Sequence, residues 1–224
     1  KDDMLQYIEY GYYDFDSNAK ETKAVVEKAV KYSPSTISVL PHYIQTVKKI
    51  IPDHIRLGTI IDYPFGLSAY LDRENAVKSA INQGVHSIEI VAPNHALCNR
   101  KYDRFRLEID CIKRICLEKK IDLKYIIEYK TYTLPLMHKV ADILYQKKLP
   151  TIYPSTSFFM DSISDNIIVA MMLQKRNNNL NVISTGQAWT DEHVDLILSN
   201  DNLFAYKTNN LYTLEKITNK ILQK

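Results

Sequence analysis

Four ionisable residues stand where short apolar runs meet or end: Asp62 closes "LGTIID", Glu89 interrupts "SIEIV", and Glu128 and Lys130 finish "LKYIIEYK". Strand alternation puts Glu89 and Val91 on the face opposite Ile88 and Ile90, and puts Ile126, Glu128 and Lys130 together on one face. A carboxylate set among isoleucines is costly to bury unless it is paired or close to an open mouth. The four groups are therefore expected to approach one cavity, as a ligand pocket or as an ion-pair network. Asp62, Glu89 and Glu128 could exchange protons with a substrate. Lys130 offers a different chemistry, since a desolvated lysine loses its proton and attacks a carbonyl, although the neighbouring carboxylates favour its ammonium form.

Lys207 follows "LFAY" and precedes Thr208, Asn209 and Asn210. It is expected in an exposed loop beyond the last strand, where it could meet an anion. His95 falls in a loop after Pro93 and Asn94, as a surface or structural histidine. The other histidines have no metal-ligand spacing, and neither a metal nor a cofactor is expected.

The elements that must position these groups alternate. Branched apolar runs, "YIEYGYY", "TISVL", "LGTIID", "SIEIV", "LKYIIEY", "PTIY", "NVIST" and "LFAY", are separated by segments of helical period. In "DRFRLEIDCIKRICLEKK" the residues Phe105, Ile109, Ile112 and Cys116 form one stripe, and in "LPLMHKVADILYQKK" Met137, Val140, Ala141 and Leu144 form another. Thr190 is expected to cap a helix whose first turn holds Asp191 and Glu192. "NNN" at Asn177 to Asn179 reads as a surface loop. Eight strand–helix units in 224 residues predict one α/β domain over residues 1–224, a compact (β/α)8 TIM barrel. A doubly wound sheet would ordinarily mark its first phosphate loop with glycines, and "YYDFDSNAK" has none.

Charge is balanced, 29 Lys+Arg against 26 Asp+Glu, and spread along helical segments, so no nucleic-acid partner is expected. Cys98, Cys111 and Cys116 show no metal spacing, and their odd number argues against a disulfide framework. Without a span-length apolar run or a signal pattern, the expectation is a cytoplasmic protein with no membrane partner.

Taken in order, the motifs resemble one family, the deoxyribose-phosphate aldolases. "ISVLPHY" is similar to the family's "VCVNPRY", "GTIIDYPFG" to "ATVVGFPLG", and "SIEIVAPNHAL" to "EVDVVFPYRAL". "LKYIIEY" is similar to "LKVIIET", "YPSTS" to "KTSTG", and "NVISTGQAWT" to "GVKASGGVRT". The resemblance runs from about Ile8 to Asn210 and implies a class I aldolase barrel, commonly dimeric in the family, that works through a lysine Schiff base. Carried over by position, the reactive lysine falls at Tyr153 and the second lysine at Ile183. A tyrosine cannot form an imine. Glu89 stands at the family's aspartate, with a longer side chain that displaces the charge by roughly one carbon–carbon bond. The phosphate turns correspond to Gly186–Gln187 and to the Lys207, Thr208 and Asn209 stretch, and the small polar turn to Ser155, Thr156 and Ser157.

These residues support three functional readings. The first is an aldolase-like barrel without the family's Schiff-base activity, binding a small polar or phosphorylated metabolite or a protein partner. The second is a carbon–carbon lyase with its nucleophile relocated to Lys130. The third is an isomerase or lyase using the carboxylates Asp62, Glu89 and Glu128.

Overall fold

The computed structural model describes residues 2–177, 180–200 and 203–223. Eight parallel strands close into a barrel in sequence order, the first paired to both the second and the eighth. The strands are β1 (Ile8–Tyr12), β2 (Thr36–Val39), β3 (Arg56–Ile61), β4 (Ser87–Val91), β5 (Asp122–Ile126), β6 (Thr151–Tyr153), β7 (Asn181–Ser184) and β8 (Ala205–Thr208). Helices follow the strands on the outside: α2 (Ala19–Val30), α4 (Tyr70–Gln83), α6 (Tyr102–Glu118), α7 (Leu134–Gln146), α8 (Ile163–Arg176), α9 (Asp191–Leu198) and α10 (Leu211–Gln223). Three short helices, α1 (Asp2–Leu5), α3 (Ile44–Val47) and α5 (Asn94–Cys98), complete the set.

Local signals explain where helices begin. Asn18 accepts from the backbone N–H of Lys20 and Glu21 while Glu21 accepts from that of Asn18, a reciprocal cap on α2. Thr190 caps α9 by accepting from His193 N–H at 3.3 Å. The stripes expected on α6 and α7 are buried in full. Of the asparagine run, Asn177 follows α8, whereas Asn178 and Asn179 lie outside the described residues.

Alternation divides the apolar interior in two. Residues such as Ile88, Ile90, Ile152 and Tyr206 face outward into the main core beneath the helices. Tyr13, Ile60, Val91, Ile126, Tyr153, Ile183 and Ala205 pack together inside the barrel. Register ties the inner positions across neighbouring strands: Ile60 pairs with Glu89, Glu89 with Lys124, Ile126 with Tyr153, and Glu9 with Lys207. The inside is therefore a filled layer of side chains, as expected for a barrel of this size.

Two glycines make that filling possible. A Cβ on Gly11 would lie 2.6 Å from the Tyr13 ring, and one on Gly58 would lie 2.3 Å from Ser38 Oγ. Gly11 thus lets Tyr13 fold back over the barrel axis, and Gly58 leaves room for the Ser38 hydroxyl.

Candidate active site

The centre of the barrel holds a charge-balanced cluster in two joined layers. In the upper one, Glu89 of β4 is an ion-pair and hydrogen-bond partner of Lys207. It also accepts from Tyr13 Oη at 2.9 Å and from Ser38 Oγ at 2.7 Å. Lys207 Nζ donates to Tyr13 Oη as well, and sits 5.0 Å and 4.9 Å from the ring centroids of Tyr13 and Tyr153. In the lower layer, Glu9 accepts from Lys124 Nζ at 2.6 Å and from the Tyr153 hydroxyl. Tyr153 joins the layers, because both lysine ammonium groups approach its ring.

Burial and charge act against one another here. Burial pulls the Lys207 ammonium below the usual lysine range, opposed by Glu89 and Glu9. For Lys124 burial acts the same way, but Glu9 and Asp122 outweigh it and raise the ammonium pKa. Burial also disfavours ionised Glu9, yet Lys124 and Lys207 win and hold the carboxyl low. Tyr13 and Tyr153, buried beside carboxylates, are held well above the ordinary phenol value and stay neutral.

Lys207 corrects one expectation. It belongs to β8 and is buried in the barrel, rather than standing in a loop beyond it. Strand β8 begins at Ala205 and extends to Thr208, so Lys207 is an inward position two residues beyond Ala205.

The four ionisable groups Asp62, Glu89, Glu128 and Lys130 are not gathered into one cavity. Asp62 accepts from Ser68 and pairs with Arg73, a buried guanidinium that also holds Glu108 and the Val91 carbonyl. Beyond Ile126, where β5 ends, Ile127 N–H and Tyr129 N–H still donate to the Tyr153 and Pro154 carbonyls, and the chain then turns at Tyr129 and Lys130, so parity does not carry to Lys130. Glu128 turns back to accept from Thr156 N–H at 2.9 Å and Thr156 Oγ1 at 2.6 Å. Burial raises the Glu128 carboxyl pKa despite these bonds. Lys130 reaches outward, donating to the Met160 carbonyl at 2.6 Å in an exposed contact. His95 lies on α5 with its Nδ1 buried and unbonded among the described residues.

The polar turns do converge at the C-terminal mouth. Ser155, Thr156, Thr208 and Asn209 line the same small cavity as Glu89, Tyr153 and Lys207, with a volume of ≈ 10 Å³, near the minimum for one water. Gly186 and Gln187 line a neighbouring hollow of ≈ 40 Å³. Gly186 has φ +111°, which favours glycine, and its carbonyl accepts from Tyr206 Oη at 2.6 Å. Gln187 Nε2 donates to Asn209 at 3.3 Å, which links the two turns. Ile183 stays inside the barrel as an apolar neighbour of Tyr153. No group of three or more His, Cys, Asp or Glu suited to a metal occurs among the described residues.

Tyr13, Ser38, Glu9 and Lys124 are site residues that sequence reasoning missed. A period of two was the available signal: Lys124 precedes the inward Ile126 by two, and Glu9, Gly11 and Tyr13 share one parity.

No family model matches the chain. In sequence it is similar to the deoxyribose-phosphate aldolase of Metamycoplasma hominis, 24% identical over 157 residues, covering 70% of this chain and 71% of that protein. It is also similar to that of Metamycoplasma arthritidis, 29% identical over 135 residues and covering 60% and 61% respectively. Among solved structures, the barrel superposes on an aldolase designated QR15 with a TM-score of 0.83 at 18% identity, covering 99% of this chain and 96% of that one. It superposes on a deoxyribose phosphate aldolase from Aeropyrum pernix, a tetramer, with a TM-score of 0.80 at 12% identity, covering 98% and 91%. No helix among the described residues is long and apolar enough to cross a membrane.

Proposed function

From the premise that this chain is a sequence relative of deoxyribose-phosphate aldolases built on the same barrel, we propose that it is an aldolase-like protein whose reactive amine is Lys207, supplied by β8. One observation carries this reading. Lys207 Nζ lies inside the barrel against Glu89 and beside the ring of Tyr153, the residue that the resemblance sets at the family's lysine position. Burial lowers the Lys207 pKa, which favours the free amine that imine formation needs.

Protons balance at each step. Glu89 takes one proton from the Lys207 ammonium, and the amine lone pair attacks the carbonyl carbon of an aldehyde as the C=O π pair moves to oxygen. Tyr13 gives its phenol proton to that oxygen and regains one from the nitrogen. Glu89 then returns its proton, the hydroxyl leaves as water, and a C=N⁺ bond remains. The cation acidifies the adjacent C–H, and transfer of that proton to the re-ionised Glu89 carboxylate, with the C–H pair forming the C=C bond and the C=N π pair returning to nitrogen, gives an enamine able to form a carbon–carbon bond.

The test is exchange of α-hydrogens. In deuterium oxide, the protein should catalyse deuteration of a short aldehyde such as propanal, followed by proton NMR, and both Lys207→Met and Lys207→Arg should abolish it. Circular dichroism melts establish that the variants fold. Exchange no faster than buffer, or unchanged in both variants, overturns the reading.

A second reading has its own supporting observation. The cavity of ≈ 10 Å³ and the complete pairing of Glu9, Glu89, Lys124 and Lys207 fit a barrel sealed by its own side chains. That protein would lack Schiff-base activity and use its outer surfaces to bind a metabolite or a protein partner. It predicts neither exchange nor a lysine adduct. Assembly as a homodimer, carried over from the family resemblance, is read by sedimentation velocity under either reading.

A further inference from the structure

We infer that the carbonyl compound presented to Lys207 carries an apolar, planar group and not a phosphate, an inference that rests on Lys207 being the reactive amine. A groove of ≈ 640 Å³ opens on the same mouth of the barrel, within the size range of small-molecule sites. Its walls include Phe15, Leu40, Tyr43, Tyr63, Phe65 and Phe158. Three of these rings are left in solvent, Phe15 at 81%, Phe65 at 46% and Phe158 at 40% exposure, an apolar concentration that folding alone does not require.

The groove is continuous with the amine. Ile60 lines both the groove and the cavity of Lys207. The Tyr13 ring, which covers Lys207, lies 5.2 Å from the Tyr63 ring, and Tyr63 in turn lies 6.0 Å from Phe158. A ligand seated among Tyr63, Phe65 and Phe158 would therefore direct one end towards the Tyr13–Ile60 boundary, where a modest displacement of the tyrosine rings opens the way to Nζ.

Charge decides between ligand classes. No lysine or arginine lines the groove among the described residues. Its carboxylate, Asp62, is already held by Ser68 and Arg73. A phosphate entering there would lose water and meet no lysine or arginine, only the exposed imidazole of His42, which is unfavourable, whereas an aryl group would gain ring contacts and lose apolar hydration.

Two measurements test the inference and keep it separate from the Lys207 reading. Saturation-transfer NMR should detect wild-type protein binding the unreactive alcohol 3-phenylpropanol through its phenyl protons, with no transfer to glycerol 3-phosphate. Cyanoborohydride trapping should then load Lys207 faster with 3-phenylpropanal than with glyceraldehyde 3-phosphate. In Phe65→Ala and Phe158→Ala, whose partly exposed rings make folding tolerant of truncation, the rate ratio of 3-phenylpropanal to propanal should fall about tenfold. Faster trapping of the phosphorylated aldehyde, a ratio unchanged in both variants, or no alcohol binding overturns the inference while leaving Lys207 as the amine. Failure of every aldehyde to trap, with the alcohol still bound, overturns the Lys207 reading itself and with it the role given to the groove.

Discussion

Glu9 shows how strongly one lumen residue depends on its neighbours. Its carboxylate takes hydrogen bonds from Lys124 and Tyr153, and the lysine charges hold its pKa below the ordinary glutamate value of 4.5 despite burial. A carboxyl held low in the fold contributes stability above pH 4.5, and that contribution disappears as pH falls through the lowered value. Glu9→Gln should therefore lower the urea midpoint at neutral pH, with the gap to wild type narrowing progressively below pH 4.5. A gap independent of pH would show that packing, and not ionisation, is what Glu9 supplies. Removing the carboxylate altogether is harsher: Glu9→Ala leaves the buried Lys124 with only Asp122, at 3.5 Å, and the Tyr153 hydroxyl without its acceptor, at a cost of about 3 kcal/mol. This role was accessible to a period-two reading of "YIEYGYY", but only once the segment was known to face a closed interior.

At the scale of elements, parity was legible wherever a strand persisted and failed where one stopped. Glu89 and Val91 point inward as alternation along β4 requires, and the stripes of α6 and α7 bury as their spacing predicts. The same rule extended past Ile126 placed Lys130 beside Glu128, whereas the chain turns at Tyr129 and Lys130, so that Glu128 bonds Thr156 and Lys130 bonds the Met160 carbonyl. Lys207 reads in sequence as a loop residue for the opposite reason, since β8 continues beyond the apolar run through a lysine that burial makes costly and Glu89 makes tolerable. Asp62 lines the mouth groove and is also part of the Asp62–Arg73–Glu108 ion triad that links the β3 loop to α4 and α6. Arg73→Met leaves two carboxylates without their cation and should destabilise by about 3–5 kcal/mol in chemical denaturation. At an ordinary helix end the effect is smaller: Thr133 caps α7 by accepting from Leu136 N–H, and Thr133→Ala should cost about 1 kcal/mol.

For the molecule as a whole, the β1–β8 pairing closes the sheet and forces side chains from strands far apart in sequence into one interior. Glu9 meets Lys124 across 115 positions, and Lys207 meets Glu89 across 118. No local window of sequence contains such pairs, which is why the barrel could be read from alternation while the partners inside it could not. The two ion networks share no residue, so the destabilisations of Glu9→Ala and Arg73→Met should add to within about 0.5 kcal/mol, while Glu9→Ala and Lys124→Met should couple strongly. Coupling between the first pair would mean that the lumen and outer wall respond together. The activity proposed for Lys207 depends on the contents of that closed interior, and the most direct measurement is peptide mapping after cyanoborohydride reduction with an aldehyde. A single adduct on the peptide bearing Lys207, absent from Lys207→Met and Lys207→Arg, is the predicted result; an adduct on Lys130, or only on surface lysines, would contradict it.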